Sequence, residues 1–475
     1  MTLQTVDVGA MRPERFEEVL PADRFAVLVE AIKRGRKLLE GRTVWNVNST
    51  VHGGGVAEML RSLLAYCRGA GIETRWAVIP GSPEFFRITK RVHNRLHGST
   101  GDGGSLGADE ADLYRRALAP VLDDLRTMVR REDIVLVHDP QPAGLVPALR
   151  REAAAVVWRC HVGVDTPNDV VRSAWDFLRP FVEPAHAYVF SRRQYVWDGL
   201  DGSRSAVIPP SIDAFSPKNQ ELSPEQVEAI VVAAGIVGGG TDGAPTFERE
   251  DGSTGLVERE ATFHDGGDAP PADARLVVQV SRWDALKDPV GVIDGFATTA
   301  RTHDAHLIVA GPSAESVTDD PEGSEVLAAC LQAWKELEST IQPRVHLACL
   351  PMEDSAENAA IVNALQRHAE IVVQKSLAEG FGLTVTEAMW KARAVIASGI
   401  GGINDQIEDG VSGVLLADPA DLDEFGRAVA SLLGDPERAR RMGEAATVRA
   451  RDLFLAPRHL EQYLELFERL LAVGG

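Results

Sequence analysis

The chain alternates short, continuous apolar runs with segments whose apolar residues recur at helical spacing. One series of such runs begins at Thr43 and ends near Ser191, and a second begins at Arg275 and ends near Asp418. Continuous β-branched runs are typical of strands covered on both faces, and regular alternation of strand and helix favours a parallel sheet. The pattern therefore predicts an α/β protein with two doubly wound domains.

The regions outside the two series set the predicted domain boundaries. Residues 216–274 are rich in Gly, Asp and Pro and poor in large apolar residues, so they are predicted to be a linker with a flexible acidic insertion. Residues 1–40 are predicted to be a leader that ends in a helix. The remaining predicted parts are an N-terminal domain at 41–215, braced by a C-terminal helix at 455–475, and a C-terminal domain at 275–454.

Composition narrows the function classes. With 475 residues and 44% apolar residues, the chain is long and apolar enough for two cores. Its net charge of −21 argues against nucleic acid or anionic membranes as partners, because both require a basic face. No signal peptide pattern or apolar span is present, and the four cysteines lack CxxC spacing, so a cytoplasmic protein is predicted.

The strongest local signal is a predicted strand, turn and helix within residues 372–389. Its glycines leave backbone amides open at the positive end of the helix, where a diphosphate is stabilised. Glu379 on the turn and Glu387 in the helix then supply carboxylates for sugar and ribose hydroxyls, as a nucleotide sugar requires. A Rossmann-type loop with incidental acids is the alternative. The turn and helix start comprise Gly380, Phe381, Gly382, Leu383 and Thr384.

Two basic residues follow the first predicted strand of the second domain. Arg282 offers a planar fork for phosphate oxygens, and Lys287 offers a mobile point charge. A surface salt-bridge pair is the alternative interpretation. The pair of Asp421 and Asp423 opens a predicted helix and is interpreted as a cap, so cationic side chains, without a metal, are predicted to stabilise a diphosphate.

In the first domain, glycines and polar residues follow predicted strands. The turn that contains Gly54 and Gly55 lies after Asn48 and is predicted to bind the sugar end of the donor. It lacks the spacing of a dinucleotide or P-loop motif, so a tight turn without a ligand is an open alternative. His161 is predicted to bind a transferred sugar, although a lone histidine is often structural. Besides Asn48, the predicted acceptor-binding residues are Asp139, Gln141, Arg159 and Asp165.

Together these motifs resemble those of the retaining GT-B glycosyltransferases of family 4. More narrowly, VNSTVHGGGVAEML, WRCHVGVDTPN and SRWDALKDPVGVI are similar to segments of the trehalose glycosyltransferring synthases, which join a nucleoside-diphosphate glucose to free glucose as α,α-trehalose. The resemblance spans about residues 43–470. It implies a GT-B fold, in which two Rossmann-like domains face each other across a cleft, the first binding the acceptor and the second the nucleotide sugar.

The same resemblance implies roles for particular residues. Arg282 and Lys287 are expected to contact the diphosphate, Glu379 the donor glucose, Glu387 the ribose, and His161 the transferred sugar. Backbone groups near Leu350 are expected to read the base. The implied partners are ADP- or UDP-glucose and glucose, with a homodimer left open and no cofactor or metal required.

Two other functions remain open from the residues. A retaining trehalose phosphorylase shares the fold and similar motifs, but uses inorganic phosphate as the partner of glucose, and one cationic pocket serves either substrate. A non-catalytic sugar- or nucleotide-binding module is the second, against which the intact Arg282, Lys287, Glu379 and Glu387 argue.

Overall fold

The computed structural model of the protein describes residues 3–51, 55–313 and 321–473. The chain divides into two compact units, unit 1 with residues 1–211 and 454–475, and unit 2 with residues 212–453. Each unit contains a seven-stranded sheet with helices on its faces. The predicted α/β class is confirmed.

The sheet of unit 1 has the strand order β1-β3-β2-β4-β5-β6-β7, in which only β1 is antiparallel to its neighbour. Strands β2 and β4 to β6 are buried throughout and consist mainly of apolar residues, whereas the edge strands β1 and β7 are partly exposed. They are β1 (Gln4–Val6), β2 (Val44–Asn48), β3 (Thr74–Val78), β4 (Ile134–His138), β5 (Ala155–Cys160), β6 (Ala187–Phe190) and β7 (Ser205–Val207).

Helices cover both faces of this sheet, and the C-terminal helix packs against α1 and β5 within unit 1. Two helices begin at side-chain caps, Ser82 for α3 and Asn168 for α6. The helices of unit 1 are α1 (Ala22–Leu38), α2 (Gly55–Gly69), α3 (Pro83–Leu96), α4 (Ala108–Met128), α5 (Val146–Leu149), α6 (Asp169–Val182) and α15 (Ala456–Val473).

The sheet of unit 2 has the order β10-β13-β12-β11-β14-β15-β16, in which only β10 is antiparallel to its neighbour. A separate hairpin is formed by β8 (Thr246–Glu248) and β9 (Thr254–Leu256). The sheet strands are β10 (Thr262–Phe263), β11 (Leu276–Val280), β12 (His306–Pro312), β13 (Val345–Leu350), β14 (Ile371–Gln374), β15 (Ala394–Ser398) and β16 (Val414–Leu416).

Among the helices of unit 2, α13 has Asp421 as its N-cap. The Asp421 carboxylate accepts from the N–H of Glu424 at 2.8 Å, which confirms that Asp421 is a cap. The helices are α7 (Pro224–Ala233), α8 (Pro289–Ala300), α9 (Pro321–Glu336), α10 (Ser355–His368), α11 (Leu383–Trp390), α12 (Ile403–Gln406), α13 (Leu422–Gly434) and α14 (Pro436–Phe454).

The segment at residues 216–274 differs from the flexible linker that its composition suggested. Helix α7 buries Val227, Ile230 and Val231 in the core of unit 2, and β10 extends the sheet. These apolar residues of α7, with Phe247 and Val257, anchor the segment, although Gly and Asp are frequent in the rest. The units are divided after Ser211, four residues before the predicted boundary at Phe215.

Strand alternation explains where polar side chains collect in unit 1. Successive side chains of a strand point to opposite faces, and Val44, Leu136 and Val157 lie on the face covered by α15. Asn46, His138 and Arg159 follow these residues by two positions, so they lie on the same face, nearer the carboxyl ends of their strands. The fold therefore gathers three polar side chains beneath α15.

Candidate functional site

The donor motif of unit 2 forms a turn between β14 and α11. Gly382 has φ 80°, a left-handed conformation that suits glycine, and it immediately precedes Leu383 at the first position of α11. The Glu379 carboxylate accepts from the N–H of Gly380 at 3.2 Å, and its Cδ would lie 3.5 Å from a Cβ added at Gly382. The predicted amide-rich helix start and the Glu379 carboxylate are therefore adjacent.

Lys287 contacts this turn directly. It lies in a short 3-10 turn after β11, and its ammonium group donates to the Glu379 carboxylate. Gln279, at the buried carboxyl end of β11, donates to the carbonyl oxygen of Lys287 at 2.7 Å and so fixes that turn. The structure thus brings together Lys287 and Glu379, which are 92 positions apart in sequence.

Arg282 has a different environment. Its side chain is 71% exposed and pairs with Asp284 at 3.1 Å. Exposed pairs of this kind contribute little to stability. The guanidinium group is thus available to a ligand, and the predicted diphosphate contact stays a prediction.

Sequence reasoning missed a buried ion pair behind Lys287. Lys375 is fully buried and pairs with Asp288, whose carboxylate also caps α8 by accepting from the N–H of Gly291 at 3.1 Å. Asp288 has φ 50°, an uncommon conformation for a residue other than glycine. The pair fixes the residue next to Lys287. A lysine directly after an apolar strand was the signal that could have identified it.

Glu387 is almost fully buried in α11, and Lys218 lies 3.7 Å from its carboxylate. One turn later, Lys391 donates to Asn219 Oδ1 at 3.0 Å and Gln366 Oε1 at 2.8 Å. Burial lowers the pKa of Lys391, and the Glu387 carboxylate opposes that effect. The segment around Lys218 is therefore attached to the helix that carries Glu387, which the sequence did not indicate.

The other predicted donor residues lie on well-packed backbone. Phe381 is buried, and its carbonyl oxygen accepts from the side chain of Gln406. The N–H of Gly402 donates to the carbonyl oxygen of Gly380 at 2.9 Å, so a second glycine-rich turn supports the first. The carbonyl oxygen of Leu350 accepts from Ser313 at 2.9 Å. Thr384 is half-buried at the second position of α11.

In unit 1, three side chains form a hydrogen-bonded chain. Asn46 Oδ1 lies 3.0 Å from His138 Nε2, and His138 Nδ1 lies 3.2 Å from His161 Nε2. Burial, together with the charge of Arg159, lowers the pKa of His138 to about 3; burial and Arg159 also hold the pKa of His161 well below its ordinary value. Both rings are therefore neutral at physiological pH.

Asp139 fixes the backbone of His161. Its Oδ1 accepts from the N–H of His161 at 2.8 Å, and its φ is 66°. Burial raises the pKa of Asp139 to about 6, although the hydrogen bond from His161 and the charge of Arg159 oppose that increase. Asp139 thus supports the backbone of His161, and its contact with an acceptor stays a prediction.

The structure does not bring Arg159 to an accessible position. Its side chain is completely buried, and Nη1 lies 3.4 Å from the hydroxyl oxygen of Tyr463 on α15. Arg159 lies near the end of β5, as predicted for an acceptor residue, but its position in the alternation of the strand directs its side chain to the face covered by α15. In this conformation Arg159 acts on His161 and His138 through its charge.

The remaining predicted residues of unit 1 have local partners or surroundings. Asn48 Oδ1 accepts from Trp76 Nε1 at 2.8 Å, and Asn48 Nδ2 donates to Thr50 O at 2.7 Å. Asp165 accepts from Arg192 at 2.7 Å. Gln141 is half-buried after β4, and Gly55 begins α2. Gly54 lies outside the described residues.

These arrangements define two different chemistries. Unit 2 offers cations and helix amides to an anion, with a carboxylate beside them; unit 1 offers neutral imidazole and amide groups to hydroxyls. Within residues 3–51, 55–313 and 321–473, no group of three or more His, Cys, Asp or Glu side chains is placed to hold a metal ion. None of the helices in those ranges has the length and apolarity needed to cross a membrane.

Two parts of the chain match known protein families. Residues 46–197 match the family described as trehalose synthase, N-terminal domain, and residues 264–449 match glycosyl transferases group 1. The trehalose synthase of Rubrobacter xylanophilus is 35% identical to this chain over 99% of this chain and 100% of its own length. The trehalose phosphorylase of Pleurotus pulmonarius is 24% identical over 85% of this chain but only 54% of its own length.

A solved structure has the same fold. The α,α-trehalose-phosphate synthase (UDP-forming) from Burkholderia vietnamiensis aligns over 91% of this chain and 99% of its own chain, with a TM-score of 0.64 at 15% identity. Together with the family matches, this similarity confirms the predicted GT-B class of glycosyltransferase fold.

Proposed function

This chain belongs to the trehalose synthase family, and on that premise we propose that it transfers glucose from ADP- or UDP-glucose to free glucose, forming α,α-trehalose reversibly and with retention of anomeric configuration. The observation that carries this proposal is the contact of Lys287 with Glu379 beside the first amides of α11. A sugar diphosphate needs a cation and open amides for the phosphates and a carboxylate for the sugar hydroxyls.

Each residue group has a role in the proposed reaction. Arg282, Lys287 and the start of α11 neutralise the departing diphosphate, so that no metal or cofactor is required. Glu379 binds hydroxyls of the donor glucose, Glu387 binds the ribose, and His161 contacts the transferred sugar. The acceptor hydroxyl attacks from the face that the diphosphate leaves, and catalysis comes from orientation and electrostatic stabilisation of the transition state.

The test uses the reverse reaction. Purified protein is incubated with trehalose and, in separate reactions, ADP, UDP or inorganic phosphate, and the products are separated by chromatography. The proposal predicts a nucleoside-diphosphate glucose that forms only when a nucleotide is present. The forward reaction, with each nucleotide sugar and glucose, then ranks the donors by trehalose yield.

A phosphorylase is the second candidate, because the phosphorylase of Pleurotus pulmonarius aligns with most of this chain. Lys287 and Arg282 would then hold free phosphate in place of a diphosphate. Formation of glucose 1-phosphate from trehalose and phosphate, without nucleotide, would support this candidate and reject the first. Binding of sugar or nucleotide without turnover in any reaction would support a non-catalytic module instead.

A further inference from the structure

We propose that Asn46 and His138 are positioning residues that fix the ring tautomer of His161, so that His161 presents an unprotonated Nδ1 to a hydroxyl of the transferred sugar. This inference rests on the proposed function and specifies a contact of the same site. It depends on the direction of two hydrogen bonds in unit 1, which the surrounding residues determine.

The first hydrogen bond fixes the proton of His138. Asn46 Oδ1 is a carbonyl oxygen and can only accept, so the His138 Nε2 at 3.0 Å must carry a hydrogen. His138 is buried close to the Arg159 guanidinium, and both effects oppose a second proton on its ring. The ring is therefore neutral, and its Nδ1 carries only a lone pair.

The second hydrogen bond makes the proton position of His161 depend on that of His138. The lone pair on His138 Nδ1 can only accept, so His161 Nε2, at 3.2 Å, must be the donor. His161 is also neutral, because it is buried beside Arg159 and His138. Its Nδ1 consequently lacks a hydrogen, and it has no hydrogen-bond partner among the residues that the structure describes. Such a nitrogen accepts a hydrogen bond from a hydroxyl group.

The orientation of His161 is fixed as well as its tautomer. Its ring lies nearly parallel to that of His138, with an interplanar angle of 15°, and its backbone N–H donates to Asp139. The residue keeps 9% of its surface exposed, unlike the 2% of His138. Asn46 and His138 thus act through His161 and need no contact with substrate.

A direct test measures the tautomers in the intact protein. Long-range proton–nitrogen spectra of the chain labelled with ¹⁵N-histidine separate protonated from unprotonated ring nitrogens, and the His138→Gln and His161→Gln variants assign the signals. We expect a hydrogen on Nε2 and none on Nδ1 in both rings. A hydrogen on His161 Nδ1, which a reversed Asn46 amide would produce, would overturn the proposal.

Kinetic variants test the positioning role. His138→Leu removes both hydrogen bonds and should lower kcat on the order of 10- to 100-fold, with KM for the nucleotide sugar changed less than about threefold. His138→Gln keeps one donor and one acceptor and should recover most of kcat. Equal losses of kcat in the two variants, at matching melting temperatures, would contradict the positioning of His161 by His138.

A matched control comes from unit 2, where His306 and His346 form a similar stacked pair. His306 Nδ1 lies 3.0 Å from His346 Nε2. His346→Leu should leave kcat unchanged. If the wild-type protein shows the expected tautomers but makes no trehalose, the proposed function fails and the tautomer assignment stands. If the wild-type protein makes trehalose but its two histidines have the opposite tautomers, the proposed function stands and only the positioning role fails.

Discussion

The two units place polar groups at the carboxyl ends of similar sheets, but the chemistry of these groups differs. In unit 1, Asn46, His138 and His161 form a chain of neutral groups. In unit 2, Lys287 pairs with Glu379, and Lys375 pairs with Asp288. A doubly wound sheet therefore fixes where a site forms, while the side chains decide whether it suits hydroxyls or an anion.

Charge balance explains how an acidic chain maintains cations in unit 2. Each cation of the donor site has a carboxylate partner, so the local net charge is small until a ligand displaces or bridges a pair. Unit 1 instead buries its histidines next to the Arg159 guanidinium, and burial, aided by that charge, keeps the rings neutral. Cationic side chains thus pair with carboxylates in unit 2, whereas in unit 1 the charge of Arg159 helps to keep the neighbouring histidines neutral.

The largest expected difference between the units is the loss of folding stability at low pH, which should be greater in unit 1. Burial and Arg159 lower the pKa of His138 from 6.5 to about 3, so the unfolded chain takes up its proton first as pH falls. Its stabilising contribution is present above about pH 6.5 and is lost towards pH 3, by about 3 kcal/mol between pH 7 and pH 4. His161 and His459 act in the same direction. Asp139, with its pKa raised to about 6, partly offsets the loss below pH 6.

Hydrogen exchange followed by mass spectrometry measures this difference, with rates corrected for the intrinsic effect of pH. Peptides of unit 1 should open before those of unit 2 between pH 7 and pH 4. His138→Gln should reduce the acid loss in unit 1 by about 3 kcal/mol, whereas His346→Gln should leave unit 1 unchanged. Earlier opening of unit 2 would contradict the contrast between neutral and charged sites.

The next expected effect concerns the ion pairs of unit 2. Lys287→Ala removes the cation that contacts the Glu379 carboxylate, so kcat/KM should fall by roughly 100-fold, about 3 kcal/mol. Arg282→Ala should cost a similar factor with little change in the free energy of unfolding, because Arg282 is largely exposed. Steady-state kinetics and chemical denaturation of the two variants provide the measurements.

A double-mutant cycle and a surface control sharpen this prediction. Lys287→Ala and Glu379→Gln should be non-additive by about 1–3 kcal/mol because the side chains are in contact. Arg301→Ala removes an exposed arginine of unit 2, paired with Glu338 at 2.7 Å, and should leave kcat/KM within about twofold. Near-full turnover of both Arg282→Ala and Lys287→Ala would show that the cationic roles are assigned wrongly.

Much of the fold could be predicted from sequence because strand–helix periodicity is a local property. The runs after Thr43 and Arg275 correspond to β2 and β11, and each opens a parallel series. The insertion at 216–274 was different: its composition suggested flexibility, but a few apolar residues of α7 fix it to unit 2. Composition averages over a segment, whereas packing depends on where its apolar residues lie.

The site was only partly predictable for a related reason. A motif indicates residues that are close in sequence, such as Glu379 and Gly382, and their adjacency follows from the turn. Contacts between distant segments, such as Lys375 with Asp288 or Lys218 with Glu387, depend on tertiary packing and were missed. Arg159 lies near a strand end, where a ligand contact was expected. Because successive side chains of a strand point to opposite faces, its side chain is directed to the covered face and is buried.

The smallest expected effect tests whether the second glycine-rich turn of unit 2 supports the donor turn. A Cβ at Gly402 would lie 2.7 Å from the Cα of Phe381, so Gly402→Ala must displace the backbone between Gly380 and Gly382. We expect about tenfold weaker binding of the nucleoside diphosphate, about 1.4 kcal/mol, measured by calorimetry. Gly410→Ala is the matched control, because no atom of the described residues, apart from its chain neighbours, lies within 4 Å of its Cβ position.

Gly410 has φ 73°, so its substitution should lower the free energy of unfolding by about 1 kcal/mol while binding is unchanged. The two variants thus separate a loss of stability from a displaced donor turn. Weaker binding in both variants by the same factor would mean that general destabilisation, and not the position of Phe381, controls affinity. Unchanged binding in Gly402→Ala would mean that the donor turn holds its ligand without support from its neighbour.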